Sequence, residues 1–428
     1  MIKPPLIIAE AANPEWASVP LVGWSHARIL QSLTGAHLVT QIRNREAILR
    51  AGLTDSEFTA IDSEAVAARI HALGSRLRGG AGKGWTTIMA LSSVSYSYFE
   101  RLVWKKFEPD LRAGKFSLVH RITPLSPTVP SSLAARCRKI GIPFVLGPLN
   151  GGVPWPQQFN EVRRAEREWL APVRSAYKWL PGYRSTLRNS DAIVCGSSHT
   201  AGEIPDRYQN KVIYIPENGI DPTRFVARRC HRASLPLRCI FLGRLVPYKG
   251  VDLLIEAIAP LARSGKLTLD IVGDGPQFSL IQERIGKLGI QDAVRMIGSV
   301  PHHDVQNRLA ACDILTFPSV REFGGGVILE SMAVGVVPMA VDYAGPSELM
   351  TESTSFRIPL GTRDEIIQRY RNELERLISD PGEIDRRSGA ALERAYSHFT
   401  WERKGQQSLE VYRWVLGMRP DKPQFNFA

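Results

Sequence analysis

At 428 residues the chain is longer than a single hydrophobic core usually grows, so two domains are expected. Its five cysteines are odd in number and form no C-x-x-C pair, which argues against a disulfide framework or a zinc site and suits a reducing cytoplasm; no run approaches the roughly 20 apolar residues of a membrane span. The formal charge of +12 is unevenly placed: residues 1–236 carry 31 basic against 18 acidic residues, whereas 237–350 carry 10 against 12.

The opening MIKPPLIIAE lacks a long apolar h-region and reads as a first strand, not a signal peptide. Two D-x-E triplets, Asp55–Glu57 and Asp62–Glu64, read as turn or cap residues. Residues 76–106 mix a Gly-rich turn, apolar and aromatic residues and flanking bases. Two readings are open there: a basic, Trp-bearing stretch lying in an anionic membrane interface, or a core helix with solvated flanks. The GKG at 82–84 lacks the spacing of a P-loop, which sets an NTPase aside. Apolar runs at 116–120, 143–147, 191–197 and 211–216 then predict strands buried on both faces. Glycines and prolines punctuate their ends, where open α/β sheets bind ligands. A basic, Pro-containing stretch, 227–238, reads as a linker. Beyond it, strands are predicted at 239–243, 269–273, 294–298, 313–318 and 336–341, with helices between. In VDLLIEAIAPL the residues Leu253, Leu254, Ala257, Ile258 and Leu261 recur at helical spacing. The tail from about Arg363 to Gly417 reads as helices.

Three motifs carry chemistry. GRLVPYKG (243–250) follows a strand and opens a helix, a placement that attracts anions; Arg244 can fork onto phosphate oxygens and Lys249 adds a point charge, or the two are a surface Arg and Lys beside a helix start. GDGP (273–276) is either a close backbone approach to a ligand or a simple turn. PSVREFGGGVILESMAVGVVPMAV (318–341) runs strand, glycine loop, helix, strand. Its Gly324, Gly325 and Gly326 offer backbone amides at a helix N-terminus, with Glu322 in the loop. Glu330 is expected about two turns into an otherwise apolar helix, where a lone carboxylate needs a partner and can take two adjacent hydroxyls, as on a ribose.

With these motifs and AGPSE (344–348) in order, the second half resembles the retaining glycosyltransferases called family 4. SDAIVCGSSHT, IPENGIDPTRF and FTWERKGQQSLEVY extend the resemblance over about residues 185–415. It implies an α/β GT-B fold: two Rossmann-like domains facing each other across a cleft, with C-terminal helices crossing back to the first. The expected division is 1–232 for acceptor, 233–400 for nucleotide sugar, and 401–428 as a helix and tail packing on the N-terminal domain. Residue by residue, the resemblance implies that Arg244 and Lys249 bind the donor diphosphate and Glu330 the ribose. Gly324 and Gly325 would donate to the donor sugar, and Glu322 would stand beside it as a catalytic carboxylate. Where the family often has an H-x-H pair, FSLVHRITP offers His120 but Ile122 at the second place. His120 is thus either a second catalytic candidate or a hydrogen-bonded residue at a strand end. The loop order Glu-Phe-Gly-Gly-Gly also departs from the common Glu-Gly-Phe-Gly.

The resemblance further implies no metal and no cofactor, the nucleotide sugar being a substrate; no D-x-D occurs in the chain. The expected partners are a nucleotide-sugar donor and a glycan or lipid-linked acceptor in polysaccharide or glycoconjugate assembly, together with an anionic membrane surface. Nucleic acid is not expected, because the basic residues are scattered without clustered stacking aromatics. The expected location is cytoplasmic, peripheral on the inner face of the membrane. Two other classes stay open: another GT-B enzyme, a sugar-nucleotide epimerase or phosphorylase, and a non-catalytic polyanion-binding protein.

Overall fold

Short apolar runs become parallel strands. In the computed structural model, which describes residues 3–64, 85–165 and 177–427, they build two sheets in two units. The first unit comprises Met1–Gly152, Arg167–Glu217 and Trp401–Asn426; the second comprises Val153–Glu166, Asn218–Thr400 and Phe427–Ala428.

The first unit's strands are β1 (Leu6–Ala9), β2 (His37–Gln41), β3 (Phe58–Ile61), β4 (Val119–Thr123), β5 (Phe144–Leu149), β6 (Ala192–Cys195) and β7 (Val212–Tyr214). All pair in parallel, in the order β3-β2-β1-β4-β5-β6-β7. Both faces are covered, so Leu6 and Ile8 enter one core cluster and Ile7 and Ala9 the other. β4 starts at Val119, later than the predicted 116–120. β2 and β3 were not foreseen, and β2 shows why. Its Thr40 and Gln41 are polar yet fully buried, their side chains bonded to the Glu10 carbonyl and the Glu64 carboxylate. Periodicity cannot see a buried polar residue that finds a partner. The two D-x-E triplets are local turns, Glu57 capping the Thr54 amide and Asp62 the Glu64 amide.

Residues 76–84 of the mixed segment lie outside the described residues. Trp85–Arg112 is one helix, and Tyr96, Phe99, Val103 and Phe107 bury a stripe at helical spacing in its described part. Trp104 is buried there too, with the Arg136 guanidinium over its ring at 5.5 Å. That part follows the core-helix reading. Glu100 on the same helix is fully buried and accepts from the backbone amides of Ser132 and Leu133, capping the helix Ser132–Lys139.

The C-terminal helix Trp401–Val415 belongs to this first unit, as expected. It packs on the helix Val19–Thr34, where a Cβ on Gly405 would come within 2.6 Å of Leu33 and 2.8 Å of Ile29. A larger residue there would have to displace the Leu33 and Ile29 side chains. Ser408 bonds His26 at 3.0 Å, and buried Lys404 donates to the Pro216 carbonyl.

The second unit's strands are β8 (Leu237–Leu242), β9 (Leu267–Val272), β10 (Val294–Gly298), β11 (Ile314–Phe317), β12 (Val337–Asp342) and β13 (Phe356–Pro359), ordered β10-β9-β8-β11-β12-β13 and all parallel. β13, a short edge strand, was not foreseen. The chain passes between units at Glu217–Asn218 and not at the expected Arg232–Ala233. The basic stretch 227–238 is part of the second unit because a fully buried carboxylate claims it. Asp313 accepts from Arg229, His231 and Arg238 at 3.0–3.1 Å. Residues 363–417 are helical, as Arg363–Ser379, Gly382–His398 and Trp401–Val415.

Candidate functional site

In the second sheet the strand order reverses between β8 and β11, so the loops after these two strands flank a topological switch point. They carry GRLVPYKG and SVREFGGG. Backbone contacts set their shape. Leu245 N–H donates to the Asp274 carbonyl at 2.9 Å, and Gln277 N–H donates to the Leu245 carbonyl at 3.1 Å. A Cβ on Gly273 would overlap the Gly243 carbonyl. The glycines of GDGP therefore serve a close approach of two backbones, a role that neither sequence reading named. Gly250 lies at φ +68°, and a Cβ there would sit 2.5 Å from the Pro318 carbonyl oxygen. It lets the helix Val251–Arg263 start against the β11 loop, while Val320 N–H donates to the Tyr248 carbonyl at 3.0 Å.

On this frame Arg244 is exposed; its carbonyl accepts from Val246 N–H at 3.0 Å, and its guanidinium has no hydrogen bond or ion pair to any described residue. Lys249 is half-buried, its ammonium 4.7 Å from the Phe317 ring centroid, and it forms an ion pair with Glu322. The two residues assigned from sequence to diphosphate and to sugar thus neutralise each other directly. Glu322 is followed by Phe323, and Gly345 N–H donates to the Glu322 carbonyl at 3.3 Å. Gly325, at φ +61°, is the residue before the helix Gly326–Ala333, so the amides of the first turn open toward the loop. Arg321 is buried between Trp155 and Phe323, at 4.8 and 5.1 Å from their ring centroids, and donates to the Val153 carbonyl at 3.2 Å.

Glu330 stands one turn into that helix, not two. Its neighbours Ile328, Leu329, Ser331 and Met332 are buried. The partner a half-buried carboxylate requires is His302, whose Nε2 lies 3.2 Å from Oε1. Arg224 Nη2 lies 3.2 Å from His302 Nδ1. Arginine can only donate, so Nδ1 accepts and the Nε2–H is directed at Glu330. Oε2 of Glu330 takes no hydrogen bond from the described residues. His302 and Arg224 were missed by the sequence reading.

His120 is the second residue of β4, with both ring nitrogens in hydrogen bonds. It lies in the first unit with 1% of its surface exposed. Nε2 donates to the Gly147 carbonyl at 2.7 Å, so Nδ1 accepts from the Tyr412 hydroxyl at 2.6 Å. Burial pushes its pKa down to about 4. Arg121 does not project outward either: it is buried and donates to the Val129 and Pro124 carbonyls. Ile122 is core. Among the described residues, no three His, Cys, Asp or Glu side chains group as metal ligands, and no helix is long and apolar enough to cross a membrane.

Residues 233–388 match the family described as Glycosyl transferases group 1. The chain is 29% identical over 299 residues to a D-inositol 3-phosphate glycosyltransferase from Stackebrandtia nassauensis, covering 64% of this chain and 66% of that protein. It is 28% identical over 245 residues to a glycogen synthase from Mycobacterium tuberculosis, covering 56% of each. The alignments thus span about half to two thirds of these curated relatives. Among solved structures, a sucrose-phosphate synthase from Thermosynechococcus elongatus matches with TM-score 0.66 at 15% identity, covering 97% of this chain and 100% of that one. Anabaena HepE, solved with UDP and glucose, matches with TM-score 0.62 at 16% identity, covering 95% and 98%. At such identities the likeness is one of fold, the GT-B class of two Rossmann-like domains.

Proposed function

We propose that the chain, whose residues 233–388 form a glycosyl transferases group 1 domain, is a retaining, metal-independent glycosyltransferase that moves a sugar from a nucleotide-sugar donor to a glycan or lipid-linked acceptor. The observation that supports this most is the set of groups around the β8/β11 switch point: Arg244, whose guanidinium has no partner among the described residues, the Lys249–Glu322 pair, the glycine loop, and Glu330 held by His302. A nucleoside diphosphate has matching parts. Its phosphates would take the Arg244 fork and the first-turn amides of the Gly326–Ala333 helix. The ribose hydroxyls would bond Oε2 of Glu330. Lys249 has three N–H donors, so it can keep Glu322 and still reach a phosphate oxygen.

As the bond from anomeric carbon to phosphate oxygen breaks, its electron pair leaves with the diphosphate and the carbon becomes cation-like. Arg244, Lys249 and the amides stabilise the growing negative charge, and the Glu322 carboxylate faces the growing positive one. The acceptor oxygen attacks from the leaving-group face, and its proton passes to the departing phosphate. His120 takes no step, since both ring nitrogens are occupied.

Two measurements test this. In a thermal-shift panel of nucleotide sugars, one or a few should raise the melting temperature, because a ligand bound only to the native state stabilises it. No shift with any of them, together with no sugar transfer to any acceptor, would remove the reading. Turnover should also survive excess EDTA; activity lost on chelation and restored by magnesium or manganese would overturn metal independence.

A further inference from the structure

The first unit presents a second set of groups that the reaction does not use. The helix Pro181–Asn189 is anchored by buried Tyr183, Thr186 and Leu187. Its outer face carries Arg184 and Arg188, one turn apart, both exposed and neither paired with a described residue. One turn before Arg184 stands Leu180, 55% exposed, beside Trp179, 74% exposed. The Arg184 guanidinium lies 5.3 Å from the Trp179 ring centroid, which holds the indole at the surface. Across from it, Arg207 is exposed over the Tyr208 ring at 4.9 Å, its guanidinium paired with no acidic group among the described residues. Between the two elements runs a groove of about 270 Å³ that continues into another of about 330 Å³; Arg184 and Arg207 line both, and Arg188 lines the second. Lys178 is also at the groove, but Glu203 neutralises it. Among the described residues, three guanidinium groups without an acidic partner thus surround an exposed tryptophan and leucine.

That combination selects a partner. Phosphates answer the arginines, and an apolar layer answers Trp179 and Leu180. A nucleic acid would satisfy the arginines, but Leu180 has no π face on which a base could stack. A bilayer of anionic lipid supplies both at the depth an indole prefers, the boundary between headgroups and acyl chains. We propose that the Trp179–Leu180 tip, with Arg184, Arg188 and Arg207, docks the first unit onto an anionic lipid bilayer, the apolar pair entering the headgroup layer and the guanidinium groups taking lipid phosphates. The site is independent of segment 76–106 and of the glycosyltransferase reading.

The test is cosedimentation of the full chain with vesicles of phosphatidylcholine alone or of phosphatidylcholine mixed with phosphatidylglycerol. Binding is expected only to the mixed vesicles and should weaken with salt, since exposed charges are screened over about 8 Å at physiological ionic strength. Each of Arg184→Gln, Arg188→Gln and Arg207→Gln should lower binding about fivefold. Trp179→Ala should lower it by at least as much, all with unchanged melting temperatures. Three outcomes overturn the proposal: equal binding to neutral vesicles; wild-type binding by Trp179→Ala and the triple glutamine variant, which would place any contact elsewhere on the basic half; or a dimer in light scattering that Trp179→Ala abolishes, without vesicle binding.

Discussion

The two sheets are built alike and treat their polar residues in opposite ways. Each is parallel, and each reverses its strand order once, between β1 and β4 in the first unit and between β8 and β11 in the second. At β4 the polar side chains turn inward. His120 is closed by Gly147 and Tyr412, and Arg121 by Val129 and Pro124. After β8 and β11 they stay at the surface with capacity to spare: the Arg244 guanidinium has no partner among the described residues, and Glu330 uses one oxygen. Topology alone does not make a site; unfilled hydrogen-bonding and charge capacity does.

The comparison breaks first at Glu322, where the largest effect is expected. Glu322→Gln should lower turnover about a hundredfold, roughly 2.7 kcal/mol, while nucleoside-diphosphate binding stays within a few-fold of wild type. Because the change strips Lys249 of its partner, the melting temperature is measured alongside. Normal turnover in folded protein would sink the catalytic role. Next, Arg244→Ala and Glu330→Gln should each weaken donor binding about tenfold, roughly 1.4 kcal/mol, and act mainly on KM. His302→Ala should shift KM the same way by less, because it only orients Glu330. An unchanged KM in Glu330→Gln would show that the carboxylate does not hold the nucleotide.

The first unit should respond in stability and not in donor binding. Burial pushes the Lys404 amine down to about 7 from its ordinary 10.5. Between these values the unfolded chain holds the proton and the folded chain does not, so stability should rise with pH. The slope is at most roughly 1.4 kcal/mol per pH unit. Thermal unfolding from about pH 7 to pH 9 should show this rise, and Lys404→Met should flatten it; parallel curves would refute the assignment. Smallest is Tyr412→Phe, which leaves Nδ1 of His120 without its donor and should cost about 1 kcal/mol with KM for the donor unchanged. A clear loss of turnover there, at full stability, would return His120 to the chemistry.

Those contrasts also show what the chain discloses in one dimension. GRLVPYKG and the Glu322–Glu330 segment were legible because strand, glycine turn and helix follow each other directly, and local geometry dictates those residue types. Gly273 was legible as a glycine but not in its role, which depends on Gly243 from another loop. His302 and Arg224 were not legible: they reach Glu330 only through the fold, and nothing in PHHDV marks one histidine over the other. The Lys249–Glu322 pairing was hidden for the same reason. Strand β2 was masked by Thr40 and Gln41, whose burial rests on partners distant in sequence. The boundary at Glu217 was displaced toward a basic stretch that looks like a linker until Asp313 is seen to hold it.

The helix Trp401–Val415 has a bearing on how the protein is made. The second unit is almost continuous from Asn218 to Thr400, whereas the first needs a helix encoded near the end of the chain. A ribosome adds roughly 5–20 residues per second. For much of synthesis, therefore, the N-terminal sheet waits with the flank of Ile29 and Leu33 uncovered and His120 lacking Tyr412. The half begun first therefore still awaits its closing helix after Asn218–Thr400 has been made, and a chain truncated shortly before Trp401 would leave its earliest-made domain unfinished.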